Sequence, residues 1–170
     1  MTSIIKVNTY QDANGNALFS SDGSGNVTMS ANGAKNTPAF SANRANTGNT
    51  LTTNTATKVI FDTEYYDTDS AYDTSNGRFT VPSGKAGKYF FCATVAMNAN
   101  FAYVRIKLRK NGTDVFRGTA IRVDTSGTSV SATIDLAVGD YVEVYVTQDS
   151  TNNVEVGDAS HFHGYKLIGA

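Results

Sequence analysis

His161 and His163 stand two positions apart near the end of the chain. On a strand, residues at this spacing share a face, so both imidazoles would project together, a geometry open to metal binding. Two ligands fall short of the four that close a structural zinc site, and a pair of ordinary surface or interface imidazoles is the simpler reading. Asp67, Asp69 and Asp73, in DTDSAYD, begin like a calcium loop of the form D-x-D-x-S. That segment lacks both the glycine of the sharp turn and the closing acidic residue, so a solvated acidic loop is expected. No metal or other cofactor is assigned.

Nucleophilic catalysis has as little support. Ser, His and Asp all occur, as in most chains, but no G-x-S-x-G elbow is present. The single cysteine, Cys92, lies beside Phe90, Phe91 and Ala93, where it acts as a small hydrophobe with an unactivated thiol. No pair of carboxylates stands out for glycoside cleavage. Gly23-Ser24-Gly25 lacks the third glycine and following helix of a nucleotide site and reads as a turn. Arg105, Lys107 and Arg109 form a basic stripe on one strand face, read as solubilising. The sequons at Asn26 and Asn111 matter only in a protein secreted by a eukaryote. The chain reads as a binding or structural protein, not an enzyme.

The elements that carry these residues are strands. In FAYVRIKLRK, Ala102, Val104, Ile106 and Leu108 alternate with Phe101, Tyr103, Arg105, Lys107 and Arg109, a period of two. Asn111-Gly112 follows, and this dipeptide readily takes the positive φ of a tight hairpin turn, so Thr113 to Arg117 should return alongside. Val130, Ala132, Ile134 and Leu136 repeat the alternation, Gly139-Asp140 turns the chain, and Val142, Val144 and Val146 share the next apolar face. Further strands are expected to start near 38, 57, 77, 87 and 161. No segment shows a helical period, so a two-sheet sandwich or jelly roll is expected. In Tyr89-Phe90-Phe91-Cys92-Ala93 both parities are apolar, so something must cover each face of that strand.

The 170 residues suffice for one principal domain. Charged residues are only 17% of the chain and the formal charge is -1, which leaves no electrostatic footprint for nucleic acid or a membrane surface. The opening MTSIIKVNTYQDANG lacks a signal-peptide core, and Tyr89–Ala93, the longest apolar run, falls far below the ~20 residues of a membrane span. Residues 1–37 differ from the remainder. DANGNALF and DGSGNVTM repeat at a spacing of ten, matching Asp12 with Asp22, Gly15 with Gly25, Asn16 with Asn26 and Phe19 with Met29. Each unit joins turn residues to a short apolar stretch, which suits small hairpins. Such a segment has little of its own to bury and reads either as an attachment segment that folds against another surface or as a loose tail.

Phe79-Thr80-Val81-Pro82, Gly84 and Gly87-Lys88-Tyr89-Phe90-Phe91 resemble the F-T-x-P and G-x-Y-x-F signature of the C1q and tumour-necrosis-factor-like jelly rolls. Pro38 to Ala42 resembles the family's first strand, Leu136 to Val142 its L-x-x-G-D-x-V turn, and Ser160 to Leu167 its closing S-x-F-x-G-x-x-L. The resemblance implies an all-β, C1q/TNF-like jelly-roll sandwich over 38–170, preceded by a short extended N-terminal segment. No collagen-like stalk precedes it. The opening IIKVNTYQDANGNALF instead resembles the N-termini of structural proteins of tailed bacteriophages.

The resemblance further implies a homotrimer with aromatic faces around a threefold axis. Tyr89, Phe90, Phe91, Tyr103, Tyr141 and Tyr145 are the candidate interface residues. Either Tyr89, Phe91, Ala93 and Val95 fill the core while Phe90, Cys92 and Ala96 meet neighbours, or the two sets are exchanged; periodicity leaves both open. Ile4, Ile5, Val7, Tyr10, Leu18 and Phe19 are candidate anchors to another virion protein of the capsid, neck or tail. Tyr65, Tyr66, Asp69 and Tyr72 lie in an irregular stretch between Asp62 and Asn76, where rings beside Asp and Asn suit stacking on a host surface glycan. The leading expectation is a fibre or spike head of a phage virion, assembled in the host cytoplasm, that attaches to the host. A stabilising capsid decoration protein and a cellular C1q-like adhesin are the alternatives.

Overall fold

The computed structural model describes residues 7–29, 35–45, 48–97, 102–119, 121–123 and 127–168. These form strands and turns, with no helix among the described residues.

The N-terminal repeat becomes a three-stranded meander of β1 (Thr9–Gln11), β2 (Ala17–Ser21) and β3 (Val27–Met29). Its two turns are built alike. Asp12 Oδ1 accepts from the backbone N–H of Asn14 and of Asn16, both at 2.9 Å, while Oδ2 accepts from Asn16 Nδ2. Ten residues on, Asp22 takes the backbone N–H of Ser24 at 2.7 Å and of Asn26 at 3.2 Å, and again the Asn26 side-chain amide. Both turns put a glycine at positive φ at the matching position, Gly15 at 84° and Gly25 at 93°, and the second has Gly23 at 78° as well. A repeated Asp, Gly and Asn therefore encodes a repeated Asx-type hairpin turn.

Two sheets make the sandwich. The first runs in the order β14 (Gly127–Leu136), β10 (Gly87–Ala96), β17 (His161–Lys166), β4 (Ala39–Asn43) and β7 (Thr63–Asp67). The second runs β12 (Thr113–Arg117), β11 (Ala102–Lys110), β15 (Tyr141–Gln148), β9 (Arg78–Thr80) and β8 (Tyr72–Asp73). In the second sheet β13 (Ile121–Val123) also pairs with β11 and β6 (Thr57–Lys58) with β15, while β5 (Thr50–Leu51) and β16 (Val154–Glu155) pair separately. From β10 the chain crosses to β11, β12 and β13 of the second sheet, returns to β14, crosses to β15 and returns to β17, the crossings of a jelly roll. Thr63–Asp67 is thus the edge strand of the first sheet, where sequence reading expects an irregular loop.

The period-two segments behave as expected. Val104, Ile106, Leu108, Val142, Val144 and Val146 are fully buried. Asn111 at φ 50° and Gly112 at φ 79° turn β11 into β12. Between the sheets, Phe40 stacks on Tyr72 at 4.8 Å and on Phe79 at 5.2 Å, and meets Phe162 edge-on at 4.9 Å. Each such ring contributes about 1.5–3 kcal/mol on burial, so this cluster supplies much of the drive for closing the sandwich. Gly164 of β17 lies under it: a Cβ there would stand 2.5 Å from Phe91 Cδ1 and 2.8 Å from the Phe90 carbonyl oxygen.

Candidate functional site

Two outward faces carry the candidate residues, and the sandwich separates them. On the first sheet, β10 alternates: Tyr89, Phe91, Ala93 and Val95 are wholly buried, whereas Phe90, Cys92, Thr94 and Ala96 point outward and are half-buried. The register places Phe90 opposite Tyr165, Cys92 opposite His163 and Thr94 opposite His161. Phe90 and Tyr165 rings touch at 5.5 Å. One face of β10 is thus covered by the second sheet, and the other carries Phe90 in a half-buried row. This corrects the expectation for Tyr89 and Phe91, which belong to the core because their parity faces Phe79 and Phe162.

His161 and His163 share the outward face of β17 with ring centroids 5.6 Å apart. With Ser41, Asn43, Tyr65 and Asp158 they line a cleft of about 290 Å³. Burial, and then the neighbouring His161, hold the His163 imidazole below its ordinary pKa. Burial raises the Cys92 thiol, the opposite of activation. Among the described residues no three His, Cys, Asp or Glu side chains gather as a metal site.

Tyr103, Tyr141 and Tyr145 stand on the outward face of the second sheet, across the sandwich from Phe90. They do not join Phe90 in one continuous patch: each ring points away from its own strand's aliphatics, but the strands sort into sheets whose outer faces diverge, so the candidate interface residues fall on two faces. These tyrosines are interleaved with cations. The Arg78 guanidinium lies 3.8 Å from the centre of the Tyr141 ring, and that of Arg109 3.8 Å from Tyr145. Glu143, 2% exposed, sits between them and takes Arg78 Nη2 at 2.8 Å and Lys58 Nζ at 3.2 Å through one oxygen. Asp114 holds Arg109 at 2.6 Å and Lys107 at 3.0 Å. Lys107 and Arg109 of the basic stripe are therefore held in a cross-strand network, invisible until the register of β11 on β12 brings Arg109 opposite Asp114, while Arg105 takes no part in these pairs.

The acidic loop is spent on its own backbone. Asp67 accepts from the Tyr72 N–H at 2.7 Å and the Asp69 N–H at 3.2 Å, Asp69 pairs with Lys85 Nζ at 3.2 Å, and Asp73 caps the turn at Ser75 and Asn76. Tyr65 and Tyr66 are 71% and 52% exposed. Tyr72 is not a contact residue: it is buried, stacked on Phe40, and its hydroxyl donates to the Phe61 carbonyl at 3.1 Å. That burial pushes its phenol far above the usual range.

In the meander, Tyr10, Phe19 and Met29 fall in one row across the three strands, with Tyr10 and Phe19 stacked at 4.4 Å. Val7, Tyr10, Leu18, Val27 and Met29 are exposed. Ile4 and Ile5 lie outside the described residues. A lock that sequence reading missed joins two turns of the second sheet's end: Asp140 accepts from Lys110 Nζ, Asn111 Nδ2 and the Ala137 N–H at 2.7–2.8 Å, and Asn111 Oδ1 accepts from the Tyr141 N–H. The Asn-Gly and Gly-Asp signals were visible separately; their contact was not.

The fold and its faces define a C1q/TNF-like jelly roll. The C1q domain family matches residues 39–167, and the chain belongs to that family. Among solved structures it is similar to the globular domain of zebrafish complement 1qA protein, at 19% identity over 76% of this chain and 97% of that one, with a TM-score of 0.57. It is likewise similar to murine APRIL, at 14% identity over 76% of this chain and 98% of that one, TM-score 0.56. The phage PRD1 vertex protein P5 aligns at 16% identity over 79% of this chain and 99% of that one, TM-score 0.59. No curated protein matches.

Proposed function

We propose that this chain is a phage virion structural protein: a trimeric head that displays its outer sheet to the host surface and is held on the particle by its N-terminal meander. The observation that carries the reading is the pairing of a closed jelly roll with a separate three-stranded sheet whose Tyr10, Phe19 and Met29 row has, among the described residues, no strand partner from the head. Such a sheet is marginal alone and gains most by packing on another protein. A vertex protein of a phage shares the head's fold, which supports a place on a particle. In this reading the trimer forms on the outward face of the first sheet, through Phe90, Tyr165, His161 and His163. Tyr65, which lines the same cleft as the histidines, borders that face. Three copies of the opposite, cationic and tyrosine-bearing face then point outward, and repetition supplies avidity.

Light scattering on the full-length protein tests the assembly. A mass near three times 18.1 kDa is expected. Phe90→Asp should shift it toward one chain while the far-ultraviolet spectrum stays that of a folded sheet. A wild-type monomer, or a trimer indifferent to Phe90→Asp, overturns the assigned face. Adsorption of the purified trimer to host cells tests attachment; a protein that stabilises capsids but never adsorbs is a decoration protein.

A further inference from the structure

The outward face of the second sheet contains a cleft of about 230 Å³ between β11 and the end of β15, lined by Tyr103, Arg105, Lys107, Thr147 and Asp149. We propose that it binds the carboxylate-bearing ring of an acidic saccharide. The inference deepens the attachment reading and rests on it for the surface concerned.

Its parts match the chemistry of such a ring. Arg105 is exposed and has no partner among the described residues, unlike Lys107 and Arg109, which are held by Asp114. A free guanidinium is preorganised for two parallel hydrogen bonds to a carboxylate. Directly across the ladder, Thr147 Oγ1 is buried and makes no hydrogen bond. Removing that hydroxyl from water without a partner is costly, so a ligand hydroxyl would gain by completing it. Asp149 uses Oδ1 to accept the Tyr103 N–H at 2.6 Å, which leaves Oδ2 for a sugar hydroxyl. Tyr103, 55% exposed, forms part of the cleft wall. The outward face around it carries six cations, Lys58, Arg78, Arg105, Lys107, Arg109 and Arg117, against the four carboxylates of Asp73, Asp114, Glu143 and Asp149. A phosphodiester chain fits less well, because it carries a charge on every residue, whereas one unpaired guanidinium beside Asp149 matches a single carboxylate on a ring rich in hydroxyls.

The test is a glycan array of uronate- and sialate-bearing oligosaccharides, each beside its neutral counterpart, probed with the full-length protein and followed by calorimetry on the best pair. At least one acidic member should bind tenfold or more above its neutral counterpart. Arg105→Glu should abolish that preference, Thr147→Val should weaken binding several-fold, and Lys35→Glu, which alters an exposed cation outside that sheet, should retain it. No preference for any acidic sugar, a preference that survives Arg105→Glu, or equal competition by polyglutamate overturns the inference. If host adsorption persists in Arg105→Glu and no acidic sugar is preferred, only this site falls. If the sugar binds but the protein never adsorbs to cells, attachment falls and the site stands.

Discussion

Replacing Gly164 by Ala should destabilise the head although it adds a single methyl group. Gly164 lies in β17 between β10 and β4, opposite Phe91 and Phe40. The added Cβ would meet Phe91 Cδ1 at 2.5 Å, Phe91 Cε1 at 2.9 Å and the Phe90 carbonyl at 2.8 Å, all inside van der Waals contact. The ring cannot swing away freely, since it is packed against Phe79 at 5.4 Å and Phe162 at 5.9 Å. The carbonyl belongs to a strand paired on both sides, so relief requires the two central strands to separate locally. Overpacking of this kind costs about 1–3 kcal/mol, and contact with both a locked ring and backbone places Gly164→Ala near the upper end. At about 2–4 °C per kcal/mol for a chain of this size, a fall of roughly 6–12 °C in Tm is expected. Because an oligomer's Tm depends on concentration, both proteins must be scanned at equal protein concentration. Leu at position 91 removes the ring edge but not the Phe90 carbonyl, so Gly164→Ala should cost less in a Phe91→Leu background than in the wild type. A Tm within a degree of wild type for Gly164→Ala alone would refute the close-approach argument.

Glu143→Ala should lower stability by about 2–3 kcal/mol in urea unfolding. Breaking a buried pair usually costs about 3–5 kcal/mol, and the discount reflects Lys58 and Arg78, which can regain water at 24% and 32% exposure. A change under about 0.5 kcal/mol would show the network to be no more than a surface pair. Asp140 is held down to about 2 by Lys110, Asn111 and the Ala137 N–H, against an ordinary value of 3.8. Its stabilisation is therefore fully present above about pH 4 and lost as pH falls through about 2. Asp140→Asn should be less stable than wild type at neutral pH and should show a shallower decline of the urea midpoint between pH 5 and pH 2; parallel curves would refute the assignment.

The local pattern was sufficient for much of the architecture. Alternation in FAYVRIKLRK and in the run from Val130 to Leu136 specified strands because one sheet face must be dry. Asn111-Gly112 and the repeated Asp, Gly and Asn near the N-terminus specified turns because few residues tolerate positive φ. Together with the ordered C1q-like signatures, these made the jelly roll and its short preceding strands readable without coordinates. Three matters needed the third dimension. In β10 both parities are apolar, so only the position of the second sheet decides that Tyr89 and Phe91 are core and Phe90 is not. Tyr72 looks like its exposed neighbours Tyr65 and Tyr66, and only the closure of β8 on β9 buries it against Phe40. The cleft of Tyr103, Arg105, Thr147 and Asp149 joins residues more than forty positions apart through the pairing of β11 with β15. Periodicity is a property of one strand and states which residues share a face; register and layer order are properties of several, and they alone state what that face meets.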